Sequence, residues 1–350
     1  MCRWFAYLGD EPQLLEDVLL RPSHSLVKQI DEHFLPSGHL AFSPDTSKSA
    51  IAPSSANDTG SPNPQTNMDG FGVGWWSDAY ETYENGTTGT AAFRPVVYKN
   101  TRPPLNDIVL HNLARGTEAK ALVAHIRAGT GLTPVVETNC HPYTFGRHLF
   151  CHNGTLGSFH LFKATLLGSL PIRYQVAILG TTDSEHIAAL YFYHLCGADG
   201  DWGNLYPVAE MAQAMRKTIS RLEELKADAE KGSQIEHNAL NLLVSSGASL
   251  VAIRYASPSG HEPPSLYLST RAGATLNRKF KGHPDSGKPG AVLSEGDREQ
   301  EEHGRHVIVA SEPTTFDADE WELIKPGEVV SVREDMAMNR AGLCWQMTEE

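Results

Sequence analysis

Apolar positions in this chain gather in short runs broken by Gly, Pro and Ser, and only locally do they repeat with a helical period. The runs at 71–76, 95–98, 121–127 and 148–151 predict strands. Those at 240–245 and 250–255 flank Ser246-Gly247-Ala248 and predict a hairpin with a glycine turn. Further strands are expected at 265–269, 307–310 and 329–332. Helical spacing marks 13–20, 105–113, 184–195 and 208–231. In the last of these, Val208, Met211, Met215, Ile219, Leu222 and Leu225 recur every three or four residues, which makes one packing face. Strands cluster in hairpins and helices do not alternate regularly with them. The pattern therefore predicts α+β layers with mostly antiparallel sheets and excludes a doubly wound parallel fold.

Two stretches break it. Residues 43–67 are rich in Ser, Pro, Asn and Thr and hold almost no large apolar side chain, so burial cannot offset the entropy of ordering them. Residues 279–305 combine Gly and Pro with the charge run Glu295-Gly296-Asp297-Arg298-Glu299-Gln300-Glu301-Glu302. Strand-like segments flank both, so each is expected to be a surface insertion in one domain spanning 2–335, followed by a tail at 336–350.

Composition narrows the function. Forty-two acidic against 29 basic residues give a net charge of −13, which repels phosphate backbones and anionic lipid. Neither a nucleic-acid nor a membrane-surface protein is expected. No apolar run approaches the roughly 18 residues that cross a bilayer, and the N-terminus turns acidic too early for a signal peptide. Five sparse cysteines make no disulfide scaffold and suit the reducing cytoplasm.

Four features can carry chemistry. Cys2 gains a free α-amine once Met1 is removed, and an amine of pKa roughly 7.7–8.0 can serve as the base for its own thiol. Arg127, in His125-Ile126-Arg127-Ala128-Gly129-Thr130-Gly131, follows an apolar strand; its guanidinium can grip a carboxylate through two parallel bonds, or form a surface ion pair. Asn153-Gly154 closes the strand at 148–151 and reads either as a tight turn or as an oxyanion hole made by a side-chain amide and a backbone N–H. Asp183, in Gly180-Thr181-Thr182-Asp183-Ser184-Glu185, precedes a helix. Asp183 or Thr182 can cap that helix, and Asp183 can otherwise receive an ammonium. Cys140-His141 and Cys151-His152 lack zinc-ligand spacing, so no metal site is expected. Gly70-Phe71-Gly72-Val73-Gly74 lacks the following helix of a phosphate loop.

The order of these features resembles the class II glutamine amidotransferases, which are N-terminal-nucleophile hydrolases. Met1-Cys2 resembles the processed nucleophile, and Asp69-Gly70-Phe71-Gly72-Val73-Gly74-Trp75-Trp76 the glycine-rich strand. His125-Ile126-Arg127 with Thr130 resembles the arginine motif, and Asn139-Cys140-His141-Pro142 the Asn-x-His-Pro that follows. Asn153-Gly154 matches the oxyanion pair, Asp183 the ammonium-binding aspartate, and Ala310-Ser311-Glu312-Pro313 the late strand that closes the domain. The resemblance implies a four-layer αββα sandwich. It implies catalysis by Cys2, Asn153 and Gly154, substrate binding by Arg127, Thr130 and Asp183, and no metal or organic cofactor.

This chain departs from many glutamine-using relatives, which carry Arg-Trp-Ala-Thr-His-Gly where it has Arg127-Ala128-Gly129-Thr130-Gly131-Leu132. The 18 residues past Val332 leave no length for an ammonia-accepting synthase domain. The resemblance is closer to stand-alone members that cleave γ-glutamyl bonds in larger thiols. One such group is the amidotransferase-like subunit of the fungal glutathione-degradation (DUG) complex. Another hydrolyses γ-glutamyl-hercynylcysteine sulfoxide in ergothioneine synthesis. Length and the Ser/Pro insertion favour the first, which implies glutathione as substrate, a metallopeptidase partner and a cytoplasmic location.

Overall fold

A computed structural model describes residues 2–29, 32–33, 61–62, 69–83, 88–129, 133–231, 235–281, 285 and 298–343. The strands in chain order are β1 (Arg3–Leu14), β2 (Glu32–His33), β3 (Ser61–Pro62), β4 (Phe71–Ser77), β5 (Arg94–Asn100), β6 (Glu118–Ile126), β7 (Tyr143–Phe145), β8 (His148–Thr155), β9 (Asn238–Ser245), β10 (Leu250–Ser257), β11 (Tyr267–Ser269), β12 (His306–Ala310), β13 (Glu322–Leu323), β14 (Glu328–Val332) and β15 (Met338–Gly342). The helices are α1 (Leu15–Leu19), α2 (Tyr80–Tyr83), α3 (Ile108–Gly116), α4 (Phe159–Ser169), α5 (Ile172–Ala177), α6 (Asp183–Cys196), α7 (Val208–Ala229) and α8 (Ala272–Leu276).

Among the described residues, two large antiparallel sheets form. One has seven strands in the order β13-β11-β12-β1-β6-β4-β5, the other six in the order β15-β14-β10-β9-β8-β7. The period-two alternation of each central strand divides its side chains between two layers. On β1, Trp4, Ala6 and Leu8 enter the core between the sheets, while Phe5 and Tyr7 face α1 and α3. On β6, Ala121 and Val123 point between the sheets, and Leu122, Ala124 and Ile126 point to the same helices. The second sheet repeats the division: Leu149, Cys151, Leu243 and Ala252 turn inward, and Phe150, Leu242, Val244 and Ile253 turn to α4, α6 and α7. Two-faced apolar strands need cover on both sides, and the result is the expected αββα order of layers.

The stripe on α7 packs as expected: Met211, Met215, Ile219, Leu222 and Leu225 are all buried against the second sheet. The hairpin is also present, with Ser245 opposite Leu250 and Gly247 at φ +83°. Other expectations change. The helix expected at 13–20 is shortened, because β1 runs to Leu14, where Gln13 and Leu14 pair with Ala119 and Glu118. α4 and α5 have no counterpart in the sequence reading; α4 buries only Phe162 and Leu166, too thin a stripe to show a period. Within 336–350, read as a tail, Met338–Gly342 is an edge strand paired with β14. The insertion at 43–67 lies outside the described residues except for 61–62.

Candidate active site

Strand parity brings the site together. Cys2 stands immediately before β1 and Arg127 immediately after β6, and Arg3 pairs with Ile126. The inward alternation of Trp4 and Ala6 carries Cys2 to the space between the sheets, and that of Ala121 and Val123 carries His125 and Arg127 there too. From the opposite sheet, Leu149 and Cys151 carry Asn153 inward in the same way. Cys2, Arg127, Asn153, Gly154 and Asp183 all line one cavity of about 530 Å³ at that end of the sandwich. Thr130 lies outside the described residues.

Cys2 is half-buried. The Ala128 N–H donates to its Sγ at 3.3 Å, and the thiol lies 3.4 Å from the Ala128 carbonyl. Burial pushes its pKa up; the Ala128 N–H and the positive charge of Arg127 pull the other way. Arg3 fixes the neighbouring backbone: its Nη1 donates to the Cys2 carbonyl at 3.0 Å, and its Nε donates to Glu312 Oε1 at 2.7 Å. Glu312, quoted above only as part of a late strand, is thus tied through Arg3 to the backbone of residue 2. Its place in space could not be read from the sequence.

Arg127 is 4 % exposed. Its Nη1 reaches the Asp69 carbonyl at 3.4 Å, while its buried Nη2 has no hydrogen-bond partner among the described residues. Asp69 steadies the turn beyond it by accepting from the Gly129 N–H at 2.6 Å. The glycine-rich strand beside it serves close approach and not phosphate binding: a Cβ on Gly72 would stand 2.0 Å from the His141 carbonyl oxygen.

Asn153 and Gly154 are not a turn. β8 continues through them to Thr155, with Asn153 opposite Asn241 and Gly154 opposite Leu240. Gly154 has φ +145°, and a Cβ there would stand 1.7 Å from the Ala239 oxygen. The Asn153 side chain is buried, and neither Nδ2 nor Oδ1 has a partner among the described residues. An unpaired buried amide costs roughly 1–3 kcal/mol, and this one lies on the wall of the cavity, where a ligand or water can pair with it.

The two readings of 180–185 separate between neighbours. Thr182 is the N-cap of α6, its Oγ1 accepting from the Glu185 N–H at 3.3 Å. Asp183, the first residue of the helix, is free to face the cavity. Its Oδ2 accepts from the Leu156 N–H at 3.0 Å and its Oδ1 from the Ser184 N–H at 2.7 Å, a favourable place for a carboxylate at a helix N-terminus.

Two cavity residues were set aside in the sequence as zinc candidates without the right spacing. His152 Nδ1 lies 2.9 Å from Ser184 Oγ, and His141 packs on His125 with ring centroids 4.1 Å apart. Burial holds all three imidazoles below their ordinary pKa, His125 at about 3. Among the described residues no three His, Cys, Asp or Glu side chains are grouped to hold a metal ion, and no helix is long and apolar enough to cross a membrane.

The family model for class-II glutamine amidotransferases matches residues 54–342. The chain belongs to the class-II glutamine amidotransferases. It is therefore an enzyme of a family that acts on C–N bonds. This amidotransferase is 29 % identical over 342 residues to the probable glutamine amidotransferase DUG3 of Saccharomyces cerevisiae, covering 95 % of this chain and 82 % of that one. Its fold is similar to the solved structure of a glutamine aminotransferase class-II domain protein from Silicibacter pomeroyi. That likeness has a TM-score of 0.55 at 19 % identity and covers 98 % of this chain and all of the other.

Proposed function

We propose that this amidotransferase, with Met1 removed, hydrolyses γ-glutamyl amides and that its donor is glutathione. The observation carrying the reading is the convergence of Cys2, Arg127, Asn153 and Asp183 on one cavity, with unpartnered polar atoms on Arg127 and Asn153. Arg127 holds the α-carboxylate of the γ-glutamyl group and Asp183 its α-ammonium. Gripping both charges of the amino-acid head leaves the γ-carbonyl next to Cys2 and removes much of the entropic barrier. The α-amine of Cys2 accepts the thiol proton, and sulfur attacks the γ-carbon. The Asn153 amide and the Gly154 N–H stabilise the resulting oxyanion. The amine then protonates the departing nitrogen, the C–N bond breaks, and Cys-Gly leaves. Water resolves the γ-glutamyl thioester to glutamate.

Glutathione is supported by the motif resemblance to the glutathione-degradation subunit, with which the likeness to DUG3 agrees. A cavity of about 530 Å³ also lies within the range that holds whole small molecules. On the same grounds the enzyme works in the cytoplasm beside a metallopeptidase partner. The test is glutamate release from glutathione, glutamine and a γ-glutamyl dipeptide, with and without the partner. Glutathione should be the preferred donor, with one Cys-Gly formed per glutamate. Failure of every donor, together with no labelling of Cys2 by a glutamine-like diazo-ketone, would identify a scaffold subunit instead.

A further inference from the structure

A second cavity, of about 490 Å³, lies at the far end of the sandwich from Cys2. Its place follows from β9. Gly154 pairs with Leu240 near the start of that strand, whereas Ala248 and Ser249, which line the second cavity, follow its end at Ser245. At about 3.3 Å per residue the strand puts roughly 15–20 Å between the two. Their linings share no residue, so the second cavity stands independently of the reaction proposed above.

Hydrogen-bond donors converge on it. α7, 22 residues long, starts at its wall, so the positive end of a full helix dipole faces the space. The N-cap is Pro207, which has no side-chain acceptor, and the N–H groups of Val208 and Ala209 have no partner among the described residues. Ser249, on the opposite wall, is 9 % exposed. Its N–H donates to Ser246 Oγ at 3.1 Å, and its carbonyl accepts from the Ser246 N–H at 3.0 Å and from Ser245 Oγ at 3.1 Å. Only its hydroxyl is left without a partner among the described residues, and a hydroxyl so buried calls for one.

The charges on the rim decide what fits. Arg333 pairs with Asp335, whose Oδ1 also accepts from the Ala337 N–H at 3.1 Å, and Glu334 adds a second carboxylate. One arginine opposed by two acids tolerates a single negative charge better than a dianion. Leu205, Val208 and Ala248 make the rest of the wall apolar, which suits a hydrocarbon body.

We infer that this distal cavity binds a small aliphatic monocarboxylate. Its oxygens accept from the Val208 and Ala209 N–H groups and the Ser249 hydroxyl, and its hydrocarbon lies against Leu205 and Ala248.

The test titrates isocaproate, its uncharged amide isocaproamide and inorganic phosphate into the isotope-labelled full chain and follows backbone resonances. Isocaproate should move Val208, Ala209 and Ser249 with a Kd on the order of 1 mM, and isocaproamide and phosphate should bind at least tenfold more weakly. Any second binding beside Arg127 is read separately, at Gly154. Ser249→Ala should weaken isocaproate about tenfold. Ala209→Asp places a fixed carboxylate in the exposed first turn of α7, where helices accept one, and should abolish binding. Unmoved Val208 and Ala209 resonances would overturn the inference. So would equal affinity for isocaproamide or phosphate, or parent affinity in both variants.

Discussion

Glu312 Oε1 accepts a 2.7 Å hydrogen bond from Arg3 Nε, both side chains are buried, and Arg3 in turn holds the Cys2 carbonyl. His24 Nε2 lies 3.2 Å from the other carboxylate oxygen. Removing one member of such a pair strands the other charge away from water. Glu312→Ala is expected to cost about 3–5 kcal/mol in urea denaturation. Glu312→Gln keeps the shape and a hydrogen bond to Arg3, so it should fold yet slow alkylation of Cys2 through looser placement of residue 2. Alkylation at the parent rate would show that the pair is structural only.

Cys2 lies ahead of β1, lines the cavity, and has its side-chain hydrogen bonds with Ala128. Cys2→Ala should abolish glutamate release while leaving the melting temperature within a few degrees. Intact mass of the active protein should lack Met1, because the proposed base is the amine that its removal exposes. Turnover by the alanine variant, or by a protein that retains its methionine, would end the mechanism.

Arg127 Nη1 reaches the Asp69 carbonyl, and its Nη2 has no partner among the described residues. An ammonium can reproduce one of those bonds and not the fork. Arg127→Lys is therefore expected to raise KM at least tenfold for every γ-glutamyl donor while changing kcat much less. Equal KM values in the two proteins would remove Arg127 from the head clamp.

Asn153 should show stability and activity moving apart. Its amide is buried without partners among the described residues, so Asn153→Ala relieves a desolvated polar group and should unfold at an equal or higher urea concentration. The same change removes an oxyanion donor, and kcat should fall about 10²–10³-fold. A variant that loses stability without losing kcat would contradict the oxyanion assignment.

Residues that report their own layer were legible in the sequence: the α7 stripe, the 240–255 hairpin and the central strands announce burial through local period. The motif order also singled out Cys2, Arg127, Asn153 and Asp183, which the structure brings to one cavity. Three things were hidden for physical reasons. The alternation of Trp4 to Leu8 is apolar on both faces, because β1 is covered on both sides, so it shows no strand period. Asn-Gly looks like a turn wherever it occurs; only the neighbouring Ala239 carbonyl explains why Gly154 sits inside a strand. Glu312 meets its partner Arg3 309 positions away, and no local pattern encodes that distance.

Stability should fall steeply in mild acid. Burial holds His125 at about 3, His148 and His306 at about 4, and His141 well below its ordinary value, against roughly 6.5 in an unfolded chain. Between 6.5 and each folded value, the unfolded chain binds a proton that the native chain refuses. Each such histidine then removes about 1.4 kcal/mol per pH unit as pH drops. Glu185 and Glu320, whose carboxyls burial pushes up, act in the opposite sense, because the native state takes their protons first. Four histidines outweigh two carboxyls, and the carboxyls act only near and above their ordinary range. Urea midpoints should therefore decline progressively from pH 7 to pH 5, with a slope of more than one proton per molecule. A flat profile across that interval would mean that these imidazoles accept protons in the folded state.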